Sequence, residues 1–134
     1  MTTEPTDYPT ILLVSPDLLA TSRLAAAARD VPARLVTIRS LTLEGDRIRS
    51  DIAGAGLILL DLGGFASDPA PVVVALRRLL GQEPTPRIVA FGPHVARERL
   101  ADAVAAGADQ AVSRGELLGG FTALARRWLR QAGD

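Results

Sequence analysis

Leu57-Ile58-Leu59-Leu60-Asp61 is an unbroken aliphatic run closed by a carboxylate, and Leu62-Gly63-Gly64 follows it at once. Four consecutive apolar residues leave no polar face, so the run predicts a strand covered on both sides, as in a parallel sheet between helices. Asp61 then stands at the carboxyl end of that strand, at the mouth of a loop. Open α/β sheets place their ligand or reaction site there. What Asp61 does depends on the residues that the fold brings beside it.

Four further short runs have the same character: Ile11-Leu12-Leu13-Val14, Arg34-Leu35-Val36-Thr37-Ile38, Arg87-Ile88-Val89-Ala90-Phe91 and Gln110-Ala111-Val112. Longer stretches with helical spacing separate them. The first helix is expected from Asp17, as its cap, to Arg29, with Pro32 barring any continuation. The second falls within Leu41 to Ala53, interrupted by Gly45. The third starts at Ser67-Asp68-Pro69, places Val72, Val73, Leu76, Leu79 and Leu80 on one face, and ends at Gly81. The fourth begins near His94, carries Val95, Leu100, Val104 and Ala105, and exits at Gly107. The last runs from Glu116, with Leu117, Phe121, Leu124 and Trp128 at three- and four-residue steps and Leu118, Ala125 and Leu129 beside them, a wide apolar band. Strict alternation of strand and helix with right-handed crossovers predicts an α/β fold. The expected form is a flavodoxin-like (βα)5 three-layer sandwich around a parallel five-stranded sheet of order 2-1-3-4-5. Residues 1–9 are expected to form a disordered tail and residues 10–131 a single domain.

Composition narrows the function. Fifteen basic residues, all Arg, balance fifteen acidic ones. The excess of positive charge that draws a protein to nucleic acid or to an anionic membrane is therefore missing, and neither is expected as a partner. With no cysteine there is no disulfide framework, no thiolate nucleophile and no cysteine-bound metal. Glu4 and Asp7 occupy the stretch where a signal peptide carries positive charge, and no apolar run approaches the roughly 18 residues of a membrane span. A cytoplasmic protein is expected. The starting Met1 and the lack of an effector domain point to a free unit.

With strand order 2-1-3-4-5, the carboxyl ends of the first and third strands flank one crevice, so Ser15 and Asp61 are expected to face each other. The ends of the fourth and fifth strands add Gly92 and Ser113-Arg114.

These residues resemble the receiver domain of two-component response regulators over Ile11 to about Leu129. The likeness is carried by Leu59-Leu60-Asp61, by the Ala106-Gly107-Ala108-Asp109 turn before the fifth strand, and by the basic Arg114 just after it. The resemblance implies a third-strand aspartate that accepts a phosphoryl group from a histidine kinase. It also implies an acidic pair after the first strand holding Mg²⁺, a hydroxyl residue after the fourth strand and a lysine after the fifth. At these positions the chain carries Asp61, Ser15-Pro16, Phe91 or Gly92, and Arg114, and Gly63-Gly64 stands where Met-Pro commonly follows the aspartate. Mg²⁺ binds through carboxylates and water. Of the family's carboxylates only Asp61 survives, and Asp17 falls one residue late.

The chain is therefore expected to be a degenerate receiver, not an enzyme, that signals through protein–protein contact with no phosphorylated state, no metal and no cofactor. Asp61 is expected to hold a standing contact with Arg114, bidentate if the guanidinium fork reaches, or else to accept backbone hydrogen bonds at the loop mouth. Two alternatives stay open. One is a phosphoacceptor receiver in which Asp17 or Ser15, with water, supports a weak Mg²⁺ site; the other is a small-molecule binder using the Asp61 crevice. The expected partner is a protein such as a sensor kinase or regulator. Receiver domains commonly use the face of helix 4, strand 5 and helix 5 to dimerise, and Leu118, Ala125, Trp128 and Leu129 are its candidates here. His94, the single histidine, is expected to cap or pack a loop, Gly63-Gly64 to form a turn, and Arg126, Arg127 and Arg130 to lie on a solvated face.

Overall fold

The structure is a computed structural model that describes residues 8–39, 45–63, 70–81, 86–93 and 97–133, the last four as backbone only. The elements alternate along the chain: β1 (Thr10–Val14), α1 (Leu18–Ala28), β2 (Arg34–Ile38), α2 (Asp46–Ala53), β3 (Leu57–Asp61), α3 (Ala70–Leu80), β4 (Arg87–Gly92), α4 (Arg97–Ala106), β5 (Gln110–Ser113), α5 (Arg114–Gly119) and α6 (Phe121–Gly133). The strands form one parallel sheet in the order β2-β1-β3-β4-β5, as the strand pattern predicts.

Side-chain alternation divides the core into two layers. Leu12, Val14, Ile58, Leu60, Ile88 and Ala90 point to the side covered by α2, α3 and α4, where Ile52, Val73, Leu76 and Ala103 meet them. Ile11, Leu13, Leu57, Leu59, Val89 and Phe91 point to the other side, against Leu24 of α1, Leu117 of α5 and Phe121, Ala125 and Trp128 of α6. The three inner strands are buried on both faces, which is why they read as continuous apolar runs with no alternation. The sheet edges β2 and β5 are only partly covered.

Several expectations are revised. The last helix is two: α5 stops at Gly119-Gly120 and α6 starts afresh at Phe121, since consecutive glycines give up the most backbone entropy in a helix. Ala125 and Trp128 are fully buried, so neither belongs to an exposed interface. With Phe121 they occupy the stripe of α6 that faces the sheet, and the Trp128 indole Nε1 donates to Gln110 Oε1 at 3.0 Å, which satisfies the polar end of a core side chain. Leu118 and Leu129 remain partly exposed. On α3, Leu79 lies on the solvent side, 42% exposed, and α4 contacts the core through Ala103 while Val104 and Ala105 face outward. His94, Val95, Gly64 and Ser67-Asp68-Pro69 lie outside the described residues, as do Leu41 to Glu44, residues 1–7 of the expected tail and the Arg130 side chain.

At the amino edge of the sheet the Gly107 turn is held by Arg77 of α3. Arg77 Nε donates to Gly107 O at 2.7 Å, and Nη2 pairs with Asp109 Oδ2 at 2.7 Å. The same carboxylate oxygen accepts the Ile88 amide at 2.7 Å. Gly107 has φ +127°, and a Cβ there would lie 3.0 Å from Arg77 Cγ. The residue must be glycine on both counts.

Candidate functional site

The opposite, carboxyl edge of the sheet gathers the predicted site. Asp61 is the last residue of β3, Gly92 of β4 and Ser113 of β5, while Ser15 follows β1 and Arg114 opens α5. Each is delivered by the parallel register, in which Asp61 pairs with Phe91 and Gly92 with Ser113. The Ser15 amide donates to Ile38 O at 2.9 Å, extending the β1 ladder by one residue and fixing where its side chain starts.

Ser15 and Asp61 do meet. The Ser15 hydroxyl donates to Asp61 Oδ2 at 2.7 Å and accepts the Asp17 amide at 3.2 Å. Both side chains are fully buried. A hydroxyl therefore stands where an acidic residue would repel Asp61, and it offers the carboxylate a charge-assisted hydrogen bond. Arg114 approaches the other oxygen, with Nη2 3.6 Å from Asp61 Oδ1. That is close enough for charge attraction and too long for a strong hydrogen bond. The expected bidentate geometry is not what the structure has: contact is made by one guanidinium nitrogen, and Arg114 Nε is buried with no hydrogen-bond partner among the described residues.

Two other predicted residues are committed to helix ends. Asp17 caps α1, its Oδ1 accepting the amides of Leu19 at 2.9 Å and Ala20 at 3.4 Å. Ser113 caps α5 through a capping box: its Oγ accepts the Glu116 amide at 3.1 Å while Glu116 Oε1 accepts the Ser113 amide at 3.1 Å. The spacing Ser113-x-x-Glu116 carries that signal in the sequence. It makes Arg114 the first residue of a helix and not part of a loop. Gly92 supplies a wall, and a Cβ there would make ordinary contact with Leu62 Cβ at 3.5 Å.

Sequence spacing gives no hint of two further features. Gly63 packs directly against the Arg114 guanidinium, so that a Cβ at residue 63 would stand 2.7 Å from Nη2, 3.0 Å from Pro93 Cδ and 3.5 Å from Asp61 Oδ1. Arg23, Leu24, Phe91, Arg114, Leu117 and Leu118 also help line a small cavity between α1 and α5, of about 30 Å³. Beside it, Leu18 and Leu19 in the first turn of α1 are 65% and 60% exposed.

This architecture is shared with solved structures. The receiver domain of an HD domain-containing protein from Pseudomonas fluorescens superposes with a TM-score of 0.76 at 16% identity, covering 98% of this chain and 94% of that one. A CheY-like protein, TadZ, from Pseudomonas aeruginosa gives 0.70 at 21% identity, over 90% of this chain and 98% of that one. The chain has the receiver fold. A protein described as pilus-assembly-related, from Burkholderia pseudomallei, has the same receiver-like architecture, with a TM-score of 0.74, 14% identity and coverage of 98% and 96%. No family model matches the chain. No curated protein matches it. Among the described residues of this receiver fold, no helix is long and apolar enough to cross a membrane.

Proposed function

We propose that the chain is an atypical receiver module that signals by protein–protein contact and has no phosphorylated working state. One observation carries the reading: the Asp61 carboxylate is fully buried, with the Ser15 hydroxyl on one oxygen and Arg114 facing the other. Phosphoryl transfer needs the acceptor oxygen in line with the donor's phosphorus and a divalent cation to neutralise the oxygens around it. The residues here do not suit that cation. Ser15 points its proton at Asp61, Pro16 has neither a side-chain ligand nor an N–H, and Asp17 Oδ1 is taken up by two backbone amides.

In this reading the chain is a binding module and not an enzyme. It works without a cofactor or metal, in the cytoplasm, against a sensor kinase or another regulator. The likeness to the pilus-assembly-related protein adds assembly proteins to those classes. Leu18 and Leu19 supply exposed apolar area beside the site for such contact, partly exposed Leu118 extends it at the cavity between α1 and α5, and Val104 supplies a separate exposed position on α4. Incubation of the full chain with acetyl phosphate and Mg²⁺, followed by intact-mass measurement, is expected to leave the mass unchanged. Gain of a phosphoryl group that Asp61→Asn abolishes would overturn the reading in favour of an active phosphoacceptor.

A further inference from the structure

We infer that Gly63 and Arg114 form a latch over Asp61, in which the missing side chain at residue 63 is the seat that lets the guanidinium lie inward and close the carboxylate from solvent. The geometry leaves little freedom on this point. The space a Cβ at residue 63 would take is bounded by Arg114 Nη2 at 2.7 Å, and the same nitrogen is 3.6 Å from Asp61 Oδ1. Gly63 and Asp61 thus present the guanidinium with a floor and a counter-charge, and any larger residue at 63 removes the floor. The Arg114 backbone cannot retreat to relieve the crowding, because the Ser113–Glu116 capping box fixes the first turn of α5 on which it sits. The side chain must move instead.

Moving it is easy. The nearest atom in the way is the tip of a flexible side chain, a third of which is already exposed, and the Pro93 ring at 3.0 Å has to give only by a few tenths of an ångström. The inward position makes one long contact and buries Nε without a partner among the described residues, whereas an outward guanidinium is fully hydrated. The charge attraction to buried Asp61 makes the inward position the resting one, and a group that binds the outward guanidinium shifts the balance. The inward state hides Asp61, and the outward state opens the carboxylate to whatever displaces Arg114. A partner's acidic group at the cavity that Arg114 shares with Arg23 is suited to draw it out.

The inference rests on reading Asp61 as a held carboxylate, and the two are tested separately. Carbodiimide-driven amidation of surface carboxylates, mapped by peptide mass, reads the accessibility of Asp61 directly. In the wild-type chain Asp61 is expected to label slowly. In Gly63→Ala and in Arg114→Ala its labelling should rise by at least about tenfold, the scale of losing a modest local closure. The double variant should match the single ones, because both remove the same latch. Asp109 and Asp102, both remote from the site, serve as internal controls: unchanged labelling there, with unchanged amide exchange in β3 and β4, shows that the fold is intact. Asp61 labelling in Gly63→Ala that stays at the wild-type rate, or a rise there that Arg114→Ala does not reproduce, overturns the latch. A phosphoryl adduct on the wild-type chain would instead overturn the phosphorylation-independent reading, whatever the labelling shows.

Discussion

The sheet carries an arginine–aspartate pair at each end, and the two are built to opposite specifications. At the amino edge Arg77 and Asp109 meet at 2.7 Å, Arg77 Nε also holds Gly107 O, and Asp109 also holds the Ile88 amide. Both Nε and Nη2 of that arginine have short partners, and both side chains keep about a quarter of their surface in solvent. At the carboxyl edge Asp61 is wholly buried, Arg114 stands 3.6 Å away, and Nε has no partner among the described residues. Tight pairing in partial solvent is what a structural clamp needs. Loose pairing, with a third of the arginine already in solvent, leaves a group that a partner can displace, and a displaceable group is what a signalling site needs.

The sharpest way to break this contrast is at the two glycines that seat the arginines. Gly107→Ala combines a left-handed φ with a clash at the root of the Arg77 side chain, and should lose about 2–3 kcal/mol in urea denaturation. Gly63→Ala meets the tip of Arg114 and, at 3.0 Å, the Pro93 ring, but at a φ outside the left-handed region, and should cost about 1 kcal/mol. Equal losses at both would show that Gly63 is as structural as Gly107.

Next in size is the hydrogen bond inside the site. Ser15→Ala leaves a buried carboxylate without its 2.7 Å donor and should cost about 2 kcal/mol, as bonds to charged groups do. A neutral result would mean that water or another donor takes over, and that Asp61 is less enclosed than it looks.

The arginines themselves give the smaller effects. Arg77→Ala breaks two short bonds and should lower stability by about 1–2 kcal/mol, whereas Arg114→Ala removes only a 3.6 Å contact to a buried carboxylate and should cost no more than that. Thermal melts of the two variants side by side decide the matter. If Arg114→Ala proves the more damaging, its contact with Asp61 is a structural brace and the comparison reverses.

Much of this was legible in the residues. The five strands could be read because burial on both faces turns a strand into an apolar run. Asp61, Ser15 and Arg114 could be placed at one edge because a parallel sheet sends all its carboxyl ends the same way. The wide apolar band after Glu116 misled for a physical reason: so wide a band has an inner and an outer side, and spacing does not say which residues take the inner one. Leu117, Phe121, Ala125 and Trp128, at steps of four and three, are buried on the sheet, while Leu118 and Leu129 keep partial exposure. Bidentate pairing was likewise an extrapolation from residue type. How far a guanidinium reaches depends on where its backbone is anchored, and the α5 capping box anchors it.

Residue pattern alone establishes the strict alternation of five strands with helical segments, the sheet topology, the Asp17 cap and the replacement of acidic residues by Ser15-Pro16, because each rests on local periodicity or residue type. Packing in three dimensions settles that Ser15 donates to Asp61, that Arg114 stops at 3.6 Å, and that Gly63 makes room for it. Those are distances between residues up to 53 positions apart (Asp61 to Arg114). They are set to within an ångström by how two helices and a sheet pack, which no local pattern encodes.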